Sequence, residues 1–186
     1  MSSIACSSES EKLKAIANHH ARRKYYFLIA ALVVLADQAS KWLVERRIAL
    51  HDSISVIPGL FRITHVQNQG AAFGLFADSP SPWTAAMLVG FSLLALIVVS
   101  ALLWRNSHAF TSTGFALSLI LGGAVGNLWD RVVQGHVVDF LDFYLSSSHW
   151  PAFNIADSAI VVGALLLVGE ILFAKTATEE TAAQSR

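Results

Sequence analysis

The run WTAAMLVGFSLLALIVVSALLW, from Trp83 to Trp104, contains no charged residue and carries a tryptophan at each end. A hydrocarbon core about 30 Å thick needs roughly 20 apolar residues from a helix that rises about 1.5 Å per residue. Indole rings favour the two membrane–water interfaces. The run therefore specifies a transmembrane helix and excludes an ordinary soluble fold. Composition agrees, since 54% of the 186 residues are hydrophobic and only 14% are charged, far from the balance of a soluble domain.

Three further segments are long and apolar enough to join it: Tyr25 to Val44, Phe110 to Trp129, and Phe153 to Ala174. The expected fold class is an all-α membrane protein with four transmembrane helices, spans about 25–44, 83–104, 110–129 and 153–174, forming one domain over residues 25–174. Polar, mobile tails are expected at 1–24 and 175–186. Lys12, Lys14, Arg22, Arg23, Lys24, Arg105, Lys175 and Arg186 fall on one side, against Arg46, Arg47, Arg62 and Arg131 on the other. Positively charged loops stay in the cytoplasm, so both termini are expected there.

Two connections then lie outside. Glu45 to Pro82 partly alternates β-branched and aromatic residues with polar ones and is broken by Pro58 and Gly59, which predicts a small β-like element on the outer membrane surface. Val132 to Ala152 is expected to be a partly helical loop. The chain has no net charge and no basic face interleaved with aromatic residues, which excludes a nucleic-acid partner. The single cysteine, Cys6, has no second thiol for a disulfide or a shared metal. Its setting, SIAC, has no apolar signal segment before it, so its likeness to a lipid-attachment box is read as chance.

Ionisable residues inside a bilayer cost several kcal/mol unless they are paired or face a wet cavity. Asp37 and Lys41, four apart on one face of the first span, lie in its outer half. The third span reaches the outer side carrying Asn127, Asp130 and Arg131, and the fourth leaves it through Asn154 and Asp157. Three helices thus deliver polar groups to one layer. Each set has a bland reading as well: an i,i+4 ion pair for Asp37 and Lys41, an interfacial turn with a snorkelling arginine for Asp130 and Arg131, a helix N-cap for Asn154 and Asp157. Glu170, near the inner end of the fourth span, reads as an interfacial anchor.

Asp139 tips the balance toward chemistry. In QGHVVDFLDF it sits among apolar residues just before the chain re-enters the membrane, with Asp142 three residues on. Carboxyl groups a few Å apart in a dry site share one proton, so that one serves as base and the other as acid, and such a pair activates water. Other hydrolytic designs are missing: there is no Gly-x-Ser-x-Gly elbow, no His-Glu-x-x-His pair, and the seven histidines show no zinc spacing. Ser40 and Lys41 are adjacent and diverge by about 100° on a helix, a poor serine–lysine dyad. A proton-coupled transporter would need ionisable groups through the full depth, and a structural scaffold would tolerate loss of the aspartates.

Four blocks in order, DQASKWLVE from Asp37, NQGAAFGLF from Asn68, GGAVGNLWDRVVQGHVVDFLDFY from Gly122 and FNIADSAIVVG from Phe153, resemble the lipoprotein signal peptidase family, signal peptidase II of bacteria. The resemblance implies a multi-pass aspartic endopeptidase of the bacterial cytoplasmic (inner) membrane, with its active site near the outer face. It would cleave prolipoproteins on the N-terminal side of a cysteine that already bears diacylglycerol. By the same resemblance Asp139 and Asp157 match the catalytic pair, while Asp37, Lys41, Asn68, Gly122, Asn127, Arg131 and Asn154 match supporting or substrate-contacting positions. Which aspartate is base and which is acid stays open, because a coupled pair titrates as a unit. No metal or organic cofactor is expected. Membrane lipids and the lipidated precursor are the expected partners of a monomer. Gly70, Phe73, Gly74 and Phe76 are expected to form a cradle over the substrate.

Overall fold

The computed structural model describes residues 2–70, 81–105, 111–145 and 148–184, with side chains over 24–70, 81–105, 111–145 and 148–173. Helix α1 runs over Ser2–Arg47, α2 over Pro82–Arg105, α3 over Ser112–Val133 and α4 over Ile155–Gln184. Each contains a stretch long and apolar enough to cross a bilayer: Lys24–Arg47, Pro82–Arg105, Ser112–Val133 and Ile155–Phe173. The expected four-helix membrane architecture is therefore present. The segment expected as an N-terminal tail continues α1 without a break. Phe110, where the third span was expected to begin, and Phe73, Gly74 and Phe76 of the expected cradle lie outside the described residues.

Helix α3 packs against α1, α2 and α4, and its sequence explains why. Lipid tails are as apolar as leucine, so helices associate through close packing of small residues. A Cβ on Gly122 would lie 2.7 Å from Ala30 O and from Val33 Cβ of α1. One on Gly123 would collide with the carbonyl oxygen of Ala156 on α4. Between α1, α2 and α3 the core is Tyr26, Ala30, Val99, Leu103, Leu117 and Leu121. Tyr26 is fully buried, and its hydroxyl oxygen accepts from Thr111 N at 2.9 Å. Thr111 caps α3, its Oγ1 accepting from Gly114 N at 3.0 Å.

The connections between α1 and α2 and between α3 and α4 form a sheet of four antiparallel strands in the order β1 (Ser53–Ile57), β2 (Phe61–Asn68), β3 (Val137–Leu145) and β4 (Ser148–His149). Ile57 to Leu60 form the turn between β1 and β2, closed by Leu60 N donating to Ile57 O at 3.0 Å. Proline at its second position and a glycine with φ 80°, Gly59, at its third are what a type II turn requires. The β-like reading of this connection thus holds. The second connection differs from the expected partly helical loop, since Val137–Leu145 is strand. The physical reason is tertiary: β2 has a free edge, and the β-branched and aromatic run VVDFLDFY fills it, placing Arg62 opposite Asp142 and Val66 opposite Asp139. Val44 and Ile48 of α1 and Val138 and Phe140 of β3 bury against one another, fixing the sheet to the helices.

Candidate active site

Four elements deliver side chains to one point. Asp139 projects from β3, Asp157 from the first turn of α4, Asn127 from α3, and Asn68 ends β2. Asp139 is buried. Its Oδ2 accepts from Asn68 Nδ2 at 2.9 Å and its Oδ1 from Asn154 Nδ2 at 2.7 Å. Asp157 Oδ1 accepts from Asn127 Nδ2 at 2.8 Å. The link between the two carboxyl groups is Asn154. Its Oδ1 accepts from Asp157 N at 2.9 Å, and its own backbone N–H faces Asp157 Oδ2 at 3.4 Å, the reciprocal pattern of a helix capping box. The helix-cap reading of Asn154 therefore holds, and the same side chain that caps α4 also donates to Asp139.

Burial raises the Asp139 carboxyl from its ordinary value to about 7, and the neighbouring charge of Asp157 pushes the same way. Hydrogen bonds from Asn68 and Asn154 and the charge of Lys41 oppose the rise without cancelling it. Both aspartates open on a cavity of about 520 Å³, whose walls are Trp150 to Phe153 on one side and Ser158, Val161 and Val162 of α4 on the other. A carboxylate oxygen has two lone pairs, so one amide donor on each still leaves room for a water. The arrangement can hold and move a single proton at the end of an apolar slot.

Asp37 and Lys41 lie just behind. Lys41 Nζ donates to Asp37 Oδ2 at 2.6 Å, to Asp130 Oδ2 at 2.6 Å and to Asn127 Oδ1 at 3.1 Å. Asp37 Oδ1 accepts from Ala156 N at 2.9 Å, which ties α1 to the start of α4. Arg131 is pinned where a snorkelling reading would have it loose. Its two terminal nitrogens donate to Asn127 O and to Gly70 O, each at 3.2 Å, fastening α3 to the chain beyond β2. Gly122 is apart from this network, at the contact of α3 with α1.

Asp130 was counted in the outer polar layer, with an interfacial turn as its bland reading, but not among the site residues; it is 1% exposed and shares Lys41 with Asp37. The signal was its spacing, three residues after Asn127 and so on the same face of α3. Gln38 belongs here too, its Nε2 donating to Asp130 Oδ1 at 2.7 Å. Asp142 stands apart from Asp139, taking a salt bridge from Arg62 Nε at 2.6 Å, because residues three apart in a strand face opposite sides. Glu170 is tied to α3, accepting from Thr113 Oγ1 at 2.5 Å. Among the described residues, no group of three or more His, Cys, Asp and Glu side chains converges as a metal site would.

Residues 29–173 match the family model described as signal peptidase (SPase) II. The chain is 46% identical over 144 residues to a lipoprotein signal peptidase of Solibacter usitatus, covering 77% of this chain and 88% of that one. It is 47% identical over 152 residues to a lipoprotein signal peptidase of Desulforapulum autotrophicum, covering 80% and 91%. A bacterial membrane enzyme whose structure was determined by the in meso method superposes with a TM-score of 0.73 at 31% identity, covering 83% of this chain and 91% of that one. With the match spanning four transmembrane helices and every polar group of the site, the chain belongs to the signal peptidase II family, the lipoprotein signal peptidases.

Proposed function

We propose that this protein removes signal peptides from diacylglyceryl-modified prolipoproteins on the N-terminal side of the lipidated cysteine, with Asp139 and Asp157 as its catalytic pair. The observation that carries this reading is the opening of both carboxyl groups on one apolar cavity, joined through Asn154, with Asp139 held at about 7. Asp139 holds the shared proton and Asp157 is the carboxylate. Asp157 takes a proton from water as the water oxygen bonds to the scissile carbonyl carbon, and Asp139 gives its proton to the carbonyl oxygen. The carbon–nitrogen bond then breaks as the nitrogen takes the proton held by Asp157. Asp139 recovers a proton as the diol collapses to the acid, and both groups return to their starting states.

Asn68, Asn127 and Asn154 orient the carboxyl groups, and Arg131 lies near enough to offset charge on the carbonyl oxygen. Asp37, Lys41 and Gly122 hold α1, α3 and α4 in register. The apolar wall of α4 suits a substrate whose signal helix and acyl chains both lie in the bilayer. This reading puts the chain in the bacterial inner membrane as a monomer among lipids, both termini cytoplasmic and the sheet outside.

The test is incubation of the purified protein with a diacylglyceryl-modified precursor and with its unmodified twin. Only the modified precursor is expected to be cleaved. Asp139→Asn and Asp157→Asn should each lower cleavage by about 10²–10⁴-fold, the usual worth of general acid–base catalysis. Near wild-type cleavage by either variant would sink the assignment.

A further inference from the structure

An asparagine amide has a donor end and an acceptor end of nearly the same shape, so its neighbours decide which way it points. Asn127 sits between two partners with opposite demands. Lys41 Nζ, which can only donate, faces its Oδ1 at 3.1 Å, and Asp157 Oδ1, an acceptor, faces its Nδ2 at 2.8 Å. Asn154 Nδ2 adds a second donor to Asn127 Oδ1 at 3.3 Å. Turned over, Asn127 would set its NH₂ against an ammonium group and its oxygen against a carboxylate. Lys41, the one full charge that faces the oxygen end, favours the direction that turns the donor end to Asp157.

Lys41 is itself fully committed. An ammonium has three N–H donors, and here they go to Asp37, Asp130 and Asn127. Lys41 is 3% exposed, Asp37 0%, Asp130 1% and Asn127 7%, so water does not compete for any of these contacts. The two carboxylates fix the ammonium from α1 and from α3. Asp130 is braced in turn by Gln38.

We propose that Lys41, clamped between Asp37 and Asp130, is a positioning residue that acts through Asn127, turning its amide so that Asp157 receives a donor. The proposal rests on the reading of Asp139 and Asp157 as the catalytic pair, and makes Asp130 part of the machinery. The groups that bear on Asp157 are then Lys41 and Asp37 from α1, Asn127, Asp130 and Arg131 from α3, Asp139 from β3, and Asn154 at the head of α4.

The experiment is a double-mutant cycle read on kcat and KM separately, using purified protein and a diacylglyceryl-modified precursor. The first arm is Lys41→Met combined with Asp130→Asn, which removes one charge of each sign. The second is Asn127→Ser. Each arm should lower kcat by about 10²-fold, the order seen when a catalytic group is misplaced, with KM changed less than about threefold. Because both act on one amide, joining them should cost no more than about threefold beyond either alone. A loss in the first arm below about threefold, or the same loss repeated in the Asn127→Ser background, overturns the proposal.

Asn127→Asp covers the case in which the first arm does not fold. It keeps an acceptor for Lys41 and takes the N–H away from Asp157. Cleavage within about threefold of wild type by that variant also overturns the proposal. Asp139→Asn and Asp157→Asn run in parallel separate the two claims. If either stays active, the catalytic pair is wrong; if both are inactive and the cycle is additive, only the positioning role is wrong.

Discussion

Helices α2 and α3 are nearly equal in length, at 24 and 22 residues, yet the fold uses them oppositely. In α2, the more apolar of the two, two residues are buried; in α3 ten are. Only Val99 and Leu103 of α2 are buried, whereas α3 buries Gly122, Gly123, Gly126, Asn127 and Asp130. In water a more apolar helix would sit deeper. In lipid the order reverses, because the solvent already suits leucine and the interior goes to residues that pack closely or need a polar partner. Apolarity thus marks α2 as a membrane span, and its interruption marks α3 as the centre of the protein.

The sharpest way to break that contrast is to give α3 a side chain that α2 would welcome. Gly123→Leu places its first carbon against the carbonyl oxygen of Ala156 and 2.8 Å from Ile160 Cγ1, and a backbone atom cannot swing aside. The helices must separate, and Ala156 is the residue whose N–H is held by Asp37. The expected outcome is loss of about 3 kcal/mol or more, enough to abolish folded protein in detergent, measured by thermal unfolding and by yield of monodisperse protein. A variant as stable as wild type would mean that α3 and α4 do not pack as described.

The same contrast explains what the sequence disclosed. Four spans were legible because hydropathy is all a span needs, and Asp139 stood out because a carboxylate among apolar residues must find partners to be buried. Val137–Leu145 was not legible as strand, since what makes it one is the free edge of β2, about 70 residues away in the chain. Asp130 was seen in the polar layer but left out of the site residues for a related reason. Its neighbour Arg131 offered a local explanation, while its true partner, Lys41, is on another helix. Gly122 was placed with the supporting or substrate-contacting positions by the family resemblance, and lies at the contact with α1 one turn away from Gly126, where a Cβ would lie 2.8 Å from Asp37 Oδ2.

A second test asks where the pH dependence of the enzyme resides. Helix α2 brings no titratable group to the site, so the profile must come from the elements around α3. In the proposed mechanism Asp139 is the acid, and its carboxyl is raised to about 7. A raised acid keeps its proton below that value and gives it up above, so cleavage should fall by about tenfold per unit as the pH climbs past 7. Stability follows the same sign. Between the ordinary value of 3.8 and about 7 the folded protein holds a proton that the unfolded chain releases, so rising pH through that window weakens the fold. Asp157→Asn removes the repelling charge and should bring Asp139 down toward the ordinary carboxylate range, read by carbon NMR of the labelled side chain. No movement would show that burial alone sets it.

A smaller effect is expected at the sheet, away from both helices. Arg62 Nε meets Asp142 Oδ2 at 2.6 Å across β2 and β3, and the carboxylate is 6% exposed while the arginine is 34% exposed. Arg62→Leu leaves Asp142 with His149, whose Nδ1 stands 3.3 Å away. The expected cost is about 1–2 kcal/mol, less than for a fully buried pair because water reaches the arginine and His149 remains. It should be seen as a lower unfolding temperature, with the slope of cleavage against pH unchanged.

The smallest effect closes the comparison from the other side. Gly90 lies within α2, and a Cβ there meets nothing within 4 Å. Its φ is an ordinary helical one, so a side chain brings no backbone strain. In water, Gly90→Leu would expose apolar area; in lipid, the new side chain meets acyl chains as apolar as itself. Leucine also favours the helix over glycine by roughly 1 kcal/mol or less. The variant should therefore unfold at the wild-type temperature or slightly above it and cleave at the wild-type rate. Set beside Gly123→Leu, the same change in the same kind of helix separates a residue facing lipid from one facing a carbonyl, and a marked loss at Gly90 would show that another protein surface, a second copy or a substrate, lies against α2.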